Sequence, residues 1–376
     1  MRAKTFLLLA LHTLLGCGGD EVAGPVPGDF IYASVSTGKT HACALTETGL
    51  AYCWGANEQG QLGDGTQTDQ HVPVLVSGTV RFTVISAGES HTCALDGDGL
   101  AYCWGANWTG QLGDETTEGR FGPVPVAGGF TFKSIHAGRL HTCALTPSGK
   151  AYCWGTVLEG DLVYPPAPFP SNHDMTFRQL DSQYSLICGL TDDDRLYCWG
   201  GIAPTDYLLD WTVIPILIDE GLAGYEIAAG RGDVCGLSPT GEIECWLGDD
   251  AFPDVGLVGP YQAADGAIFE HITCGTRPTC GIQAGGLAHC WRVNIDWRFG
   301  KNQVPEPPAF SYLSEVPGVD FASLSSSFSG GISFSCGVAL PAPEGSEVYC
   351  WGYNINGQLG DGTTERSDVP VRVLLP

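Results

Sequence analysis

A pair of cysteines spaced ten residues apart recurs along the chain, and a tryptophan follows the second cysteine each time. Six pairs keep this spacing and a seventh is fourteen apart: Cys43 and Cys53, Cys93 and Cys103, Cys143 and Cys153, Cys188 and Cys198, Cys235 and Cys245, Cys280 and Cys290, Cys336 and Cys350. The units lie 45 to 56 residues apart and fill the chain from about residue 29 to its end. Repeats of roughly this length form solenoids, propellers or arrays, in which many small units share one core.

The ten-residue spacing is that of a β-hairpin with a three-residue loop. If Cys43 faces Cys53, then Thr46 faces Leu50 and the loop ends at Gly49. Such a loop needs a left-handed residue last, which glycine adopts without steric cost. The equivalent positions hold Gly99, Gly149, Asp194, Gly241 and Gly286. Directly opposed cysteines lie within disulfide reach, so we predict one disulfide per unit within each of the seven pairs.

The N-terminus has the pattern of a targeting segment. Arg2 and Lys4 precede an apolar run over residues 5–15 that is too short to span a bilayer. Residues 14–17, which end in Cys17, resemble the lipobox of bacterial lipoproteins. We therefore expect a signal peptide over residues 1–16, a lipidated Cys17 and a short tether over residues 17–28. Leu15 is a less typical occupant of its position, so plain secretion is the alternative.

The charge balance argues against nucleic-acid partners. Removal of residues 1–16 leaves 15 Lys and Arg side chains against 42 Asp and Glu, a net charge of −27 with histidine neutral. Such a surface repels nucleic-acid phosphates and anionic lipid headgroups. It is typical of a solvated surface outside the cell, where disulfides persist.

A longer phrase follows the first Trp-Gly, from Asn57 to Thr66, and recurs over residues 107–116 and 354–363. Together with Ser86-Ala87-Gly88 before His91, it resembles the repeat of the regulator of chromosome condensation family. The resemblance covers the mature chain, although units three to six keep only the cysteine hairpin and the tryptophan. It implies an all-β, seven-bladed β-propeller over residues 29–376, with one disulfide-stapled hairpin per blade. The blades are expected near residues 29–80, 81–130, 131–176, 177–224, 225–268, 269–318 and 319–376, with ring closure between residues 30–35 and 369–374.

The family's activities do not carry over directly. Its name-giver exchanges nucleotide on a small GTPase and binds nucleosomes, whereas other members include a light receptor and a secreted bacterial inhibitor of β-lactamases. An exported acidic chain meets no cytosolic GTPase and has no basic arm for chromatin. Fold alone does not decide function, so guanine-nucleotide exchange is not expected here.

Several motifs have a structural explanation that competes with a functional one. His41, His91 and His141 could form a metal site, but their repetition favours histidines that brace a turn. Asp64, Asp114 and Asp361 are expected to bind backbone amides, with calcium binding as the alternative.

Arg231-Gly232-Asp233 spells an integrin-binding triplet and is interpreted as accidental. Cys274 has no counterpart and is interpreted as a buried small residue, with pairing to Cys280 or to another chain left open.

The chain is therefore expected to be a non-enzymatic, monomeric binding module of the cell envelope that needs no metal or cofactor. Its partner would be a protein or a glycan. An envelope hydrolase, an inhibitor-like propeller and a purely structural spacer are the alternatives. Blades three to six replace the glycine-rich phrase with dissimilar segments that should emerge on one side of the disc. Their aromatic residues are the candidate binding residues: Tyr164, Phe169, Tyr207, Trp211, Phe252, Trp297 and Phe299.

Overall fold

The computed structural model describes residues 31–156, 165, 167–170, 175–200, 215–248, 257–263, 266–275, 279–294, 309–327, 333–340 and 347–376. Strands there form seven four-stranded antiparallel sheets, each made of four consecutive strands. Blade one contains β1 (Tyr32–Thr37), β2 (His41–Thr46), β3 (Ala51–Gly55) and β4 (Gln70–Leu75); blade two contains β5 (Phe82–Ala87), β6 (His91–Asp96), β7 (Ala101–Gly105) and β8 (Arg120–Pro125). Blade three contains β9 (Ser134–Ala137), β10 (His141–Leu145), β11 (Ala151–Gly155) and β12 (Phe169–Pro170).

The remaining four blades follow the same order. Blade four contains β13 (Phe177–Gln183), β14 (Leu186–Thr191), β15 (Arg195–Gly200) and β16 (Ile216–Glu220); blade five contains β17 (Glu226–Ala229), β18 (Asp233–Leu237), β19 (Ile243–Gly248) and β20 (Leu257–Gln262). Blade six contains β21 (His271–Cys274), β22 (Thr279–Ile282), β23 (Ala288–Asn294) and β24 (Ala309–Glu315); blade seven contains β25 (Phe321–Ser326), β26 (Phe334–Ala339), β27 (Val348–Gly352) and β28 (Ser367–Arg372). The all-β, seven-bladed propeller is confirmed.

The first strand of every blade is the innermost. β5 contacts β1 and β9, β13 contacts β9 and β17, and β21 contacts β17 and β25, while β25 contacts β1. These seven strands form a complete ring around the central axis. The fourth strand of each blade is the outermost, because it pairs only with the third.

The hairpin register is the one that the cysteine spacing predicts. Cys43 lies opposite Cys53, and Thr46 N donates to Leu50 O (2.9 Å) at the end of the same hairpin. At the other end of the hairpin, Ala56 N donates to Thr40 O. Hydrogen-bonded and non-hydrogen-bonded pairs alternate between these two ends, and the cysteines form a non-hydrogen-bonded pair, the type in which opposed Cα atoms come closest. All seven pairs form disulfides with Cα atoms 4.0 to 4.1 Å apart. Gly49 has φ +79°, and Asp194, its one non-glycine equivalent among the described turns, has φ +63°.

Each disulfide packs against the tryptophan of the next blade. The Cys43–Cys53 pair shares a buried cluster with Phe82 and Trp104 of blade two. The arrangement recurs around the ring, and the Cys336–Cys350 pair of blade seven lies in one cluster with Trp54 of blade one. The core is thus seven similar interfaces between blades, which is why the chain repeats both the cysteine pair and the tryptophan.

Ring closure differs from the sequence expectation. Residues 30–35 and 369–374 were expected to meet, but β1 pairs with β2 at the centre of blade one and β28 pairs with β27 at the rim of blade seven. The ring closes instead by packing of β1 against β25 and β26. Thr37 N donates to Ser325 Oγ (3.0 Å) across this junction. Closure needs no shared sheet, because each blade already contains four consecutive strands.

The antiparallel order gives the disc two distinct faces. The turn between the first and second strands (the inner turn) and the loop between the third and fourth strands (the outer loop) leave the same edge of each sheet, since His41 lies opposite Gly55. We call this side the loop face. The turn between the second and third strands leaves the opposite edge, which we call the hairpin face.

No helix in the described ranges is long and apolar enough to cross a bilayer, and the many disulfides indicate an oxidising, extracellular environment.

Candidate binding face

Of the seven aromatic residues predicted to bind a partner, Phe169 lies within the described ranges. Tyr164, Tyr207, Trp211, Phe252, Trp297 and Phe299 lie outside the described residues, as does Cys17. Phe169 opens β12, where it lies opposite Cys153. The segments that carry these residues follow the third strands β11, β15, β19 and β23. Those strands run in the same direction as β3, so all four segments begin on the loop face.

The outer loops of blades one, two and seven are held by a buried asparagine. Asn107 donates through Nδ2 to the Asp114 carboxylate (3.0 Å) and to the carbonyls of Thr116 and Glu118. Its Oδ1 accepts from Leu112 N (2.9 Å). Asn57 and Asn354 make the same contacts in their loops. These amides replace water for backbone groups that would otherwise be unpaired, so the loops are rigid.

The aspartates of these loops act inside the turn, as the sequence predicted. Asp114 Oδ1 accepts from Thr116 N (3.1 Å) and Thr116 Oγ1 (2.7 Å), while Oδ2 accepts from Arg120 Nε. Burial acts to raise the pKa of Asp114, but the hydrogen bonds from Thr116 and Arg120 outweigh it and lower the pKa below its ordinary value. The carboxylates therefore stabilise the loops. Within the described part of the chain, no cluster of His, Cys, Asp or Glu is arranged to hold a metal ion.

The outer loops of blades one and seven also bind the tryptophan of the next blade. Trp104 Nε1 donates to Gln61 O (2.9 Å), and Trp54 Nε1 donates to Gln358 O (2.9 Å). Gly63 must be glycine, because its φ is +70° and a Cβ there would lie 2.6 Å from Trp104 Nε1. The glycine-rich phrase is therefore a contact between blades.

The repeated histidines join blades rather than forming one site. His41 Nε2 contacts Thr92 Oγ1 (2.9 Å), and His91 makes the same contact with Thr142 (2.9 Å). His141 contacts Ser182 Oγ (2.7 Å). All three imidazoles are buried, and burial lowers the pKa of His41 and His91 to about 3 and of His141 to about 4. They are neutral hydrogen-bonding groups beneath the inner turns.

Side chains at one register position link the inner strands around the central axis. The position opposite the first cysteine holds Ser36, whose Oγ accepts from Ala87 N (3.0 Å) of the next blade. Asp181 occupies it in blade four and accepts from Ala229 N (2.8 Å). Asp181 also pairs with His136 Nδ1 (3.1 Å) of blade three. The contacts of Ser36 and Asp181 with Ala87 N and Ala229 N each satisfy an inner-strand amide, and all three contacts join neighbouring blades.

The central channel is crossed near the loop face. Gln183, the last residue of β13, donates from Nε2 to Ser326 O (3.1 Å) at the end of β25. These strands belong to blades four and seven, on opposite sides of the ring. The Gln183 amide therefore joins the inner strands of blades four and seven across the channel.

The inner turns of blades one to five form a continuous arc on the loop face. We call it the mouth arc, and it consists of Lys39, Glu89, Arg139, Tyr184 and Arg231. Glu89 binds Lys39 Nζ through one carboxylate oxygen and Arg139 Nε (2.9 Å) through the other. The guanidinium of Arg139 lies 5.2 Å from the Tyr184 ring centroid, and that of Arg231 lies 4.7 Å from it.

Sequence reasoning missed the mouth arc. The signal was the residue after glycine in the phrase Gly-x-x-His, which is charged in blades one, two and three. Arg231 occupies the same position in blade five. The triplet Arg231-Gly232-Asp233 is thus an inner turn, and Asp233 begins β18 opposite Leu247.

Two exposed hydrophobic side chains stand at the tips of the rigid outer loops. Trp108 is 58% exposed in blade two and Ile355 is 61% exposed at the equivalent position in blade seven. Thr109, the neighbour of Trp108, donates to Leu140 O (2.8 Å) beside the mouth arc. Asn107, the acceptor of an apparent glycosylation sequon with Thr109, is fully buried. The loop face therefore carries exposed hydrophobic side chains on two outer loops and charged side chains near its centre.

Parts of blades one, two, three and seven match a known repeat. The Regulator of chromosome condensation (RCC1) repeat matches residues 48–95, 98–145 and 346–376, and a second description of the same repeat matches residues 32–61 and 82–111. The E3 ubiquitin-protein ligase HERC2 of Homo sapiens is 46% identical over 44 residues, which is 12% of this chain and 1% of that protein. The Protein RCC2 homolog of Danio rerio is 40% identical over 55 residues, 15% of this chain and 10% of that protein. The matched stretches are thus small parts of both relatives.

Solved structures share the architecture over most of the chain. Prp20p of Saccharomyces cerevisiae, whose structure was described together with its binding to Gsp1p and histones, has a TM-score of 0.70 at 21% identity, over 88% of this chain and 87% of that one. The ectodomain of the Physcomitrella patens receptor kinase CR4 has a TM-score of 0.55 at 23% identity, over 86% and 74%. The ectodomain of the Arabidopsis thaliana receptor kinase ACR4 has a TM-score of 0.54 at 21% identity, over 92% and 99%. At sequence identities of 21 to 23%, the similarity is evidence for a shared fold alone.

Proposed function

We propose that this seven-bladed propeller, which carries regulator of chromosome condensation repeats, is a non-enzymatic binding module that recognises a protein or glycan partner with its loop face. The observation that carries the proposal is the exposure of Trp108 and Ile355 on loops that buried asparagines hold rigid. A large aromatic side chain on a preorganised loop is the type of residue that dominates binding energy. Because the loop is already ordered, it loses no further conformational entropy when the partner binds.

The variable segments of blades three to six support the same face. They begin at the edge of the sheets that also carries the mouth arc and the outer loops. Loops on a rigid scaffold are the usual location of recognition residues. The aromatic residues of these segments, from Tyr164 to Phe299, remain part of the proposed binding surface.

We place this module outside the cytosol, held to a bacterial envelope by lipid on Cys17. The seven disulfides support an oxidising compartment, and the fold also occurs in the receptor ectodomains named above. Mass spectrometry of the mature protein tests the anchor, because it should give an N-terminal Cys17 with added acyl groups. An unmodified Cys17, or a mature terminus elsewhere, contradicts the anchor but leaves the binding role untouched.

Nucleotide exchange on a GTPase is not proposed. It would require a cytosolic partner, whereas the disulfides and the net charge of −25 favour an exported, acidic surface protein. An exchange assay with a purified small GTPase should therefore show the spontaneous rate of nucleotide release.

Matched surface variants test the binding role. Exported protein carrying Cys17→Ser is used to capture and cross-link envelope proteins and glycans, and the variants Trp108→Glu and Ile355→Glu are compared with Ile268→Glu. Ile268 is a suitable control because it is 52% exposed and lies against Gly241 on the hairpin face. We expect the loop-face variants to lose at least tenfold of the captured partner and the control to retain it. Equal capture by all variants, or loss only with Ile268→Glu, would contradict loop-face binding.

A further inference from the structure

The mouth arc gathers positive charge in an acidic protein. Three of its five side chains, Lys39, Arg139 and Arg231, are among only 17 Lys and Arg residues, against 42 Asp and Glu. The arc has a single carboxylate, Glu89, which is shared between Lys39 and Arg139. The five positions are structurally equivalent in five consecutive blades, so they are adjacent by construction of the ring.

The backbone of the arc is fixed between blades. Lys39 N donates to Gly88 O (3.2 Å), Glu89 N to Gly138 O (3.1 Å) and Arg139 N to Tyr184 O (2.7 Å). The Gln183 amide lies directly before Tyr184 and bonds across the axis to Ser326. The arc therefore lies beside a hydrogen bond that spans the channel between blades four and seven.

Arg231 is the member of the arc with free donor capacity. Its side chain is exposed, stacks on the Tyr184 ring and forms no ion pair with a described residue. Stacking holds a guanidinium by its face, which leaves the N–H groups at its edge available for a planar carboxylate. Lys39, whose side chain is 39% exposed, lies at the other end of the arc.

The nearby carboxylates reduce this charge without cancelling it. Asp181 lies below the arc and is bound by His136 and by Ala229 N. Asp233 is half-buried and folds beneath Gly230 at the start of β18. Farther out, the described outer loops of blades one, two and seven carry Asp64, Glu118 and Asp361.

This charge pattern selects the shape of an anionic partner. An extended polyanion, such as a nucleic acid or an anionic lipid surface, would be repelled by the net charge of −25 and by the carboxylates of the outer loops of blades one, two and seven. A protruding tip that carries one or two carboxylates can reach the centre alone. We propose that the mouth arc binds the carboxylates of an acidic peptide segment on the protein partner, with Arg231 as the main contact. This rests on the proposed function, since it names the chemistry that the loop face reads.

A short peptide probes the site without the partner. The probe is an acetylated and amidated peptide with two glutamates between glycines, and its counterpart carries two glutamines. Binding to the exported protein is measured by NMR titration at low salt. The variant Arg231→Glu is compared with Arg366→Glu, which makes the same charge change at an exposed arginine paired with Asp368, away from the axis.

The expected result is weak, salt-sensitive binding of the glutamate peptide, with the glutamine peptide at least tenfold weaker. Arg231→Glu should lose at least tenfold in affinity, whereas Arg366→Glu should stay within twofold. Equal binding of the two peptides, or equal loss in the two variants, overturns the inference, as does failure of the wild-type protein to bind. Because partner capture depends on Trp108 and Ile355, such a failure together with successful capture rejects the carboxylate site alone.

Discussion

The indole nitrogen of Trp54 donates a 2.9 Å hydrogen bond to the carbonyl oxygen of Gln358, 304 residues later in the chain. This bond joins the third strand of the first blade to the outer loop of the last. The equivalent bond from Trp104 to Gln61 joins blades two and one. One type of contact therefore serves both for adjacent repeats and for closure of the whole ring.

Substitution of Gly63 should show how tightly the outer loop packs on this tryptophan. Gly63→Ala places a methyl group 2.6 Å from Trp104 Nε1 at a positive φ, whereas Gly65→Ala has a positive φ but open space. We expect Gly65→Ala to lower the free energy of unfolding by about 1 kcal/mol, from backbone conformation alone. Gly63→Ala should cost about 2 kcal/mol more, from overpacking. Denaturant unfolding measures both, and equal losses would mean that the loop moves away freely.

Acid should destabilise the ring through its buried histidines. The folded-state pKa of His91 is about 3, below the unfolded value near 6.5, so the unfolded chain binds protons that the folded chain cannot. The contribution of the neutral histidine to the free energy of unfolding is therefore fully present above pH 6.5. It is lost as the pH falls towards the folded-state pKa. At pH 5 the loss is about 2 kcal/mol per histidine, for each of His41, His91 and His141.

Single variants separate this effect from carboxylate titration, which begins at lower pH. His91→Gln should be less stable than wild type at pH 7 but lose about 2 kcal/mol less between pH 7 and pH 5. His71→Gln, at an exposed position, should lose as much as wild type. If His91→Gln shows the wild-type loss, another group is responsible for the acid sensitivity.

The thiol count should reveal one buried free cysteine. In native protein that carries Cys17→Ser, alkylating reagents should not modify Cys274. This cysteine forms no disulfide, but it is only 2% exposed. Burial also raises the pKa of the Cys274 thiol well above its ordinary value, so little thiolate is present. In denaturant without reductant, one thiol per chain should react. Peptide mapping that finds Cys274 joined to Cys280 would contradict the pairing described here.

Conversion of a buried amide to an acid should break an outer loop. Asn107→Asp would bring a carboxylate against Asp114 and the carbonyls of Thr116 and Glu118, all of which now accept from Asn107. Loss of these bonds with burial of a charge should cost about 3 kcal/mol or more. Gln67→Glu, an exposed amide in the equivalent loop of blade one, should cost less than about 0.5 kcal/mol. Comparable melting temperatures would show that the asparagine is dispensable.

The hairpins were predictable because their rules are local. The spacing of Cys43 and Cys53 and a residue able to adopt positive φ at Gly49 or Asp194 define the register without reference to the rest of the chain. Ring closure was not predicted correctly, although Val35-Ser36-Thr37-Gly38 matches Ile85-Ser86-Ala87-Gly88 and precedes a cysteine hairpin in the same way. That likeness shows that the first strand belongs to the first blade.

The mouth arc was harder to foresee, because its members are spread over nearly 200 residues. Glu89 and Arg139 become partners only when the ring brings successive inner turns together, and Tyr184 and Arg231 come from blades whose phrases have diverged. No local rule predicts that two guanidinium groups share one aromatic ring. Such a site follows from the circular arrangement rather than from any one repeat.

The completeness of each blade has a consequence for the order in which the chain can fold. Every disulfide joins cysteines 10 or 14 residues apart, and every sheet consists of consecutive strands. A polypeptide that appears with its N-terminus first could pair the strands and join the cysteines of each blade in turn, and each interface could pack as soon as the next blade follows. The contacts between blades one and seven, among them β1 with β25 and β26 and Trp54 with Gln358, must await the end of synthesis. The last event in maturation would then be a docking of two finished surfaces, with no strand left to exchange.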